Sequence, residues 1–128
     1  MKIGFFGTPK LSAQVLEALV NEQEIEVAFV ITNPDAPSGR GQKLTPSLVK
    51  QCAIAHNIPV FTPEKVRGNT ELFAKLREYE CDYFVVVAYG KILPNEILEI
   101  PKKLAINVHG SILPRYRGAS PIQSALLF

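Results

Sequence analysis

Tryptophan is missing from this 128-residue sequence, methionine occurs once, and cysteine and histidine occur twice each. Cys52 and Cys81 read as standing apart from any second cysteine or histidine at metal-ligand spacing. Both are therefore expected as reduced residues inside a packed domain, and no metal is expected. His56, in Ala55-His56-Asn57, is expected as the polar end of a helix rather than a ligand. No apolar run reaches the length of a membrane span, and Lys2, Thr8, Pro9 and Lys10 break the apolar segments near Met1, so a cytoplasmic chain with no membrane partner is expected. Charge of one sign is scarce as well. The formal balance of +2 does not by itself imply nucleic-acid binding, which leaves local clusters to carry any such argument. Residues 4–9 run Gly4-Phe5-Phe6-Gly7-Thr8-Pro9, with neither G-x-G-x-x-G nor the P-loop pattern G-x-x-x-x-G-K followed by Ser or Thr. A nicotinamide dehydrogenase or a P-loop enzyme needs those glycines for close backbone approach to phosphates, so both classes are set aside.

What is present is apolar material for a core, at 47% hydrophobic residues, without internal repeats or low-complexity tracts. Lys2–Phe6 reads as a short strand, and Gly7-Thr8-Pro9 as a turn residue, an N-cap and a proline at the first helical position. Leu11, Val15, Leu16 and Leu19 recur at helical spacing, and Ile25–Ile31 is a nearly continuous apolar run, which makes the opening third a parallel βαβ unit. Thr45-Pro46 repeats the cap-then-proline signal before a helix to about Ala55; Val60-Phe61 is a short strand, and Leu72, Phe73 and Leu76 mark another helix. Tyr83–Ala88 and Leu104–Val108 are apolar throughout or nearly so, as strands covered on both faces should be. The expected fold is α/β, with a doubly wound, mainly parallel sheet. Ser120-Pro121 opens one more helix that reaches Phe128 with no closing signal, so the natural protein is expected to continue.

The most informative stretch is Asn107-Val108-His109-Gly110-Ser111-Ile112-Leu113-Pro114. Residues two apart on a strand share a face, so Asn107 and His109 converge at the carboxyl end of a strand expected to be central, where open α/β sheets bind ligands. A donor amide beside a titratable ring suits chemistry at a carbonyl. Gly110 permits a sharp exit, and the apolar turn beyond it can wall a pocket.

Asn107-x-His109-Gly110-Ser111-Ile112-Leu113-Pro114 resembles the signature of the folate-dependent formyltransferases, in which an asparagine and a histidine precede an S-L-L-P turn; only Ile112 departs from it. Val87-Ala88-Tyr89-Gly90-Lys91-Ile92-Leu93-Pro94, Arg115-x-Arg117-Gly118-Ala119 and Pro121-Ile122-Gln123 are similar to the same family, and the likeness runs from Gly4 to Phe128. The resemblance implies a Rossmann-like formyltransferase fold, with residues 1–128 as an incomplete amino-terminal domain. The rest of that domain and a carboxy-terminal β-barrel are expected to follow. It also implies 10-formyltetrahydrofolate as the formyl donor, with the pterin between Gly90-Lys91-Ile92-Leu93 and Ser111-Ile112-Leu113-Pro114, and Asn107 and His109 as catalytic residues. The family's third catalytic residue is an aspartate beyond the S-L-L-P turn, and residues 110–128 contain no carboxylate.

Pro37-x-Gly39-Arg40-Gly41-x-Lys43-Leu44-x-Pro46-Ser47 is similar to the branch of the family that formylates the initiator methionyl-tRNA, whose long glycine-rich loop engages the acceptor stem. Asn33–Leu44 is about a dozen residues where such connections usually have two to six. Arg40 and Lys43 suit phosphate contacts, although Asp35 reduces the loop's charge to +1. The resemblance therefore implies tRNA as partner through Arg40 and Lys43. Two alternatives remain open: a formyltransferase acting on a purine precursor or a nucleotide sugar, and a catalytically dead folate- or RNA-binding domain.

Overall fold

A computed structural model describes residues 1–38, 41 and 43–108 of the chain. Its main sheet is parallel throughout and has five described strands: β1 (Lys2–Gly7), β2 (Glu26–Ile31), β5 (Val60–Phe61), β6 (Tyr83–Val87) and β7 (Leu104–Val108), in the order β5-β2-β1-β6-β7. The chain winds from β1 through α1 (Lys10–Val20) to β2, then through α2 (Leu48–Ala55) to β5. It then crosses by α3 (Thr70–Glu78) to β6 on the other side of β1, and by α4 (Asn95–Leu98) to β7. The winding reverses between β1 and β6, which makes their carboxyl ends the switch-point crevice of a doubly wound sheet. The expected fold class is thereby met. Among the described residues β7 lies at one edge of the sheet, where the sequence reading had it central.

Both faces of the sheet are covered, which explains the unbroken apolar runs. Phe6, Phe29, Ile31, Phe84, Val86 and Ala105 face one side and pack with Leu72, Phe73 and Leu76 of α3 and Ile97 of α4. Phe5, Val30 and Val87 face the other and pack with Leu16 of α1 and Val49 and Ala53 of α2. Phe29 is at the centre of the first cluster, with its ring centroid 5.0–6.3 Å from those of Phe6, Phe61, Tyr79 and Phe84. On α1 the residues in the core are Ser12 and Leu16, while Leu11 is exposed despite its place in the helical pattern. A Cβ on Gly7 would lie 2.6 Å from Ser12 Cβ and 2.7 Å from the Val87 carbonyl oxygen, so glycine there lets α1 close onto β6, with Ser12 Oγ donating to that same carbonyl.

Two helix starts differ from expectation. Pro9, not Thr8, occupies the N-cap of α1 and offers no side-chain cap, because the Thr8 hydroxyl is committed to the Tyr89 carbonyl. Ser47, not Thr45, caps α2 by accepting from the Lys50 N–H at 3.0 Å, because Thr45 belongs to a strand. That strand, β4 (Lys43–Thr45), pairs antiparallel with β3 (Ala36–Ser38), so the long Asn33–Leu44 connection is a hairpin and not an irregular loop. Its base is tied to α2 by an ion pair between Lys50 Nζ and Asp35 Oδ1 at 3.0 Å. Gly39, Arg40, Gln42 and the Ser120-Pro121 helix start lie outside the described residues.

Candidate active site

Short polar side chains gather where the apolar strands end at the switch point. Thr8 Oγ1, just past β1, donates to the Tyr89 carbonyl oxygen at 3.0 Å and accepts from the Asn33 N–H at 3.3 Å. Asn33 Nδ2, two residues past β2, donates to the same Tyr89 oxygen at 3.1 Å. Thr32, fully buried, lies 2.8 Å from Ser47 Oγ and so joins this network to the start of α2. The sequence reading missed these residues. Their signal was a polar residue directly after each apolar run, at the edge of the sheet that binds ligands.

The network holds a turn of unusual backbone. Ala88 has φ 51° and Gly90 φ 96°, so an alanine and a glycine both occupy the left-handed region within three residues. Alanine there costs about 1 kcal/mol, and such a conformation persists only where its surroundings fix it. Between them, Tyr89 is buried beside Phe6 at a ring separation of 5.9 Å. Burial raises its phenol pKa to about 12, and its hydroxyl finds no hydrogen-bond partner among the described residues.

This turn aims Gly90, Lys91 and Ile92 toward β7. Together with Val86, Ala88, Asn107 and Val108 they line a cleft of about 390 Å³. Asn107 pairs in register with Val86, and the two share the sheet face that carries Phe84, Ala105 and α4. Of the residues expected to contact folate, Ile92 is 91% exposed and so is no part of the core. Lys91 Nζ donates to the Glu64 carbonyl at 3.2 Å, and Leu93 packs against the core cluster instead of lining the cleft. His109 follows Val108 directly but lies outside the described residues, as do Arg40 and Ser111, Ile112, Leu113 and Pro114. Lys43 is exposed on β4. Away from this edge, Cys52 and His56 were expected to be unrelated. Cys52 lies on α2 and His56, four residues on, caps its carboxyl end, and both reach Glu17 of α1.

Chemically, the cleft offers one half-buried amide with hydrogen-bond donors, a cation at its rim, and a wall of Val86, Ala88 and Ile92 interrupted by exposed backbone. It suits a flat heteroaromatic ring that hydrogen-bonds along its edge, and a carbonyl placed against Asn107.

A parallel doubly wound sheet with Asn107 on the wall of its carboxyl-edge cleft defines a class, and the chain belongs to the formyl transferase family, which it matches over residues 1–128. It is similar to the methionyl-tRNA formyltransferase of Trichormus variabilis, at 56% identity over 98% of this chain and 38% of that protein. It is likewise similar to those of Trichodesmium erythraeum, at 58% over 96% and 37%, and of a Sulfurihydrogenibium species, at 54% over 99% and 40%. The chain thus spans about two fifths of the length of these relatives. Among solved structures, it resembles phosphoribosylglycinamide formyltransferase from Bacillus halodurans, with a TM-score of 0.63 and 23% identity over 98% of this chain and 64% of that one. The Anaplasma phagocytophilum counterpart gives 0.64 and 23% over 98% and 57%. At that identity the likeness is one of fold.

Proposed function

We propose that the full-length protein transfers a formyl group from 10-formyltetrahydrofolate to the α-amine of the methionine carried by initiator tRNA. The observation that carries this reading is Asn107 on the wall of the switch-edge cleft, in a chain more than half identical to methionyl-tRNA formyltransferases. Formylation requires an amine to attack the formyl carbon while negative charge builds on the formyl oxygen. The Asn107 amide donates to that oxygen, and one such preorganised donor is worth about 3 kcal/mol. His109, two residues further along the sequence, supplies positive charge or a proton toward the departing nitrogen. The folate serves as formyl donor, held by Gly90, Lys91 and Ile92 of the cleft and, as the family resemblance implies, by Ser111, Ile112, Leu113 and Pro114.

The β3–β4 hairpin is assigned to tRNA. Asp35 is paired with Lys50 at the hairpin's base, so it does not offset the exposed Lys43. Residues 110–128 carry no carboxylate to orient His109 or favour its charged form. Chain 1–128 alone is accordingly expected to formylate far more slowly than the full-length protein.

The test is an acceptor competition. Full-length protein is given 10-formyltetrahydrofolate with methionyl initiator tRNA, glycinamide ribonucleotide or an amino sugar nucleotide. The proposal expects kcat/KM to favour the charged tRNA by orders of magnitude, and a preference for either small amine would overturn it.

A further inference from the structure

Glu17, Cys52 and His56 bring three different metal-ligating groups together on the outer side of the α1–α2 pair. Cys52 Sγ lies 3.3 Å from Glu17 Oε1, and His56 Nε2 lies 3.1 and 3.0 Å from Glu17 Oε1 and Oε2. One donor atom from each residue falls within 4.8 Å of the other two. We propose that these three side chains form a binding site for one zinc-class divalent cation, separate from the cleft of Asn107.

The spacing fits the ion. Bonds of about 2.0–2.3 Å arranged tetrahedrally put neighbouring donor atoms about 3.3–3.8 Å apart, and the two contacts that Glu17 Oε1 makes, at 3.3 Å to Cys52 Sγ and 3.1 Å to His56 Nε2, lie within a few tenths of an ångström of that span. The donor set fits as well. A thiolate and an imidazole with one carboxylate favour zinc over magnesium or calcium, which require shells made of oxygen. Cys52 lies in the second half of α2 and His56, four residues on, is its C-cap, so both are presented at the same end of the helix. Asn21 Nδ2 approaches Glu17 Oε2 at 3.4 Å and donates to the Glu17 backbone carbonyl at 3.0 Å, an outer contact that steadies the carboxylate. The side chains of His56 and Glu17 stay 30% and 51% exposed, so the cation can enter and the fourth position is open to water.

A plain ion pair between His56 and Glu17 would account for two of the groups. It does not require the Cys52 thiol, which turns to the same carboxylate oxygen as the imidazole. Binding is a ligand exchange with no redox change: the Sγ–H bond breaks, its proton passes to solvent, and the sulfur bonds the cation. His56 ends α2 at the pole opposite Ser47, and Ser47 is the end that meets Thr32 at the carboxyl edge of the sheet. The site therefore lies away from the cleft, and its cation would brace the two helices without entering formyl transfer.

Full-length protein, freed of metal with a chelator, is titrated with ZnCl2 by calorimetry and with CoCl2 by absorption, because a cobalt–thiolate bond gives a charge-transfer band. One equivalent is expected to bind with that band present. Cys52→Ser should abolish the band, and Cys52→Ser and His56→Gln should each weaken zinc by about tenfold or more. Cys52→Ser should leave formyl transfer unchanged, and far-UV circular dichroism confirms that each variant is folded. Absence of one-equivalent binding would overturn the proposal, as would equal zinc affinity in the parent and both variants.

Discussion

Asn33 donates its side-chain amide to the Tyr89 carbonyl oxygen at 3.1 Å and so ties the end of β2 to the turn after β6. Thr8 reaches the same oxygen, so three strands meet on one acceptor. Asn33→Ala removes one of the two bonds and leaves the other. A loss of about 1 kcal/mol in denaturant unfolding is expected. Because the turn carries Gly90, Lys91 and Ile92, the KM for the formyl donor should rise more than the KM for tRNA. Equal changes in both would make Asn33 merely structural.

Asn107 is argued to act only as charge develops on the formyl oxygen. Asn107→Ala should therefore lower kcat by about a hundredfold or more with little change in tRNA binding. Single-turnover rates and a filter-binding affinity for the charged tRNA separate the two quantities. A variant with parental kcat and weakened affinity would refute the oxyanion role.

The sheet was legible because β1, β2 and β6 are buried on both faces, and their runs of Val, Ile and Phe admit few other readings. The place of Asn107 on the cleft wall was legible for a related reason: a polar residue near the end of such a run stands out. The helix caps were less so. Thr8-Pro9 and Thr45-Pro46 carry local cap signals, but tertiary partners took both threonines, one for the Tyr89 carbonyl and one for a hairpin strand. The hairpin itself has no alternating apolar pattern, since Pro37, Lys43 and Leu44 are all exposed. Glu17 and His56 are 39 residues apart in sequence, and only the packing of α1 on α2 joins them.

Tyr89 makes stability depend on alkaline pH. Its phenol ionises near 10 in an unfolded chain and at about 12 here because burial disfavours the anion. A pKa raised by folding means the contribution is fully present below pH 10. It is lost as pH climbs toward 12, by on the order of 2–3 kcal/mol. Urea unfolding at pH 9 and pH 11 measures about half of that loss. Tyr89→Phe should reduce this dependence, leaving the part due to the Cys52 and Cys81 thiols, each raised to about 11, and should leave stability at pH 7 nearly intact, because the hydroxyl it removes has no described partner.

Gly4 is the position in β1 least able to take a side chain. A Cβ there would lie 2.2, 2.5 and 2.8 Å from three atoms of the Phe29 ring. That ring has Phe6, Phe61, Tyr79 and Phe84 around it and no free direction in which to move. Gly4→Ala should cost about 2–3 kcal/mol by overpacking, read as a lower urea midpoint at unchanged m-value. Gly4→Ala combined with Phe29→Leu should recover part of the loss.

Lys43 and Arg40 are argued to neutralise phosphates, an effect that salt must weaken. Releasing one counterion fewer lowers the slope of log affinity against log salt by about 1. Lys43→Ala should therefore weaken tRNA binding most at low salt and converge on the parent as salt rises, with folate binding unchanged. Arg40→Ala should show the same convergence if it meets phosphate alone. A loss that persists at high salt would mean that the arginine also bonds a base edge or the open end of the stem. Parallel salt plots for parent and Lys43→Ala would remove the hairpin from the tRNA interface.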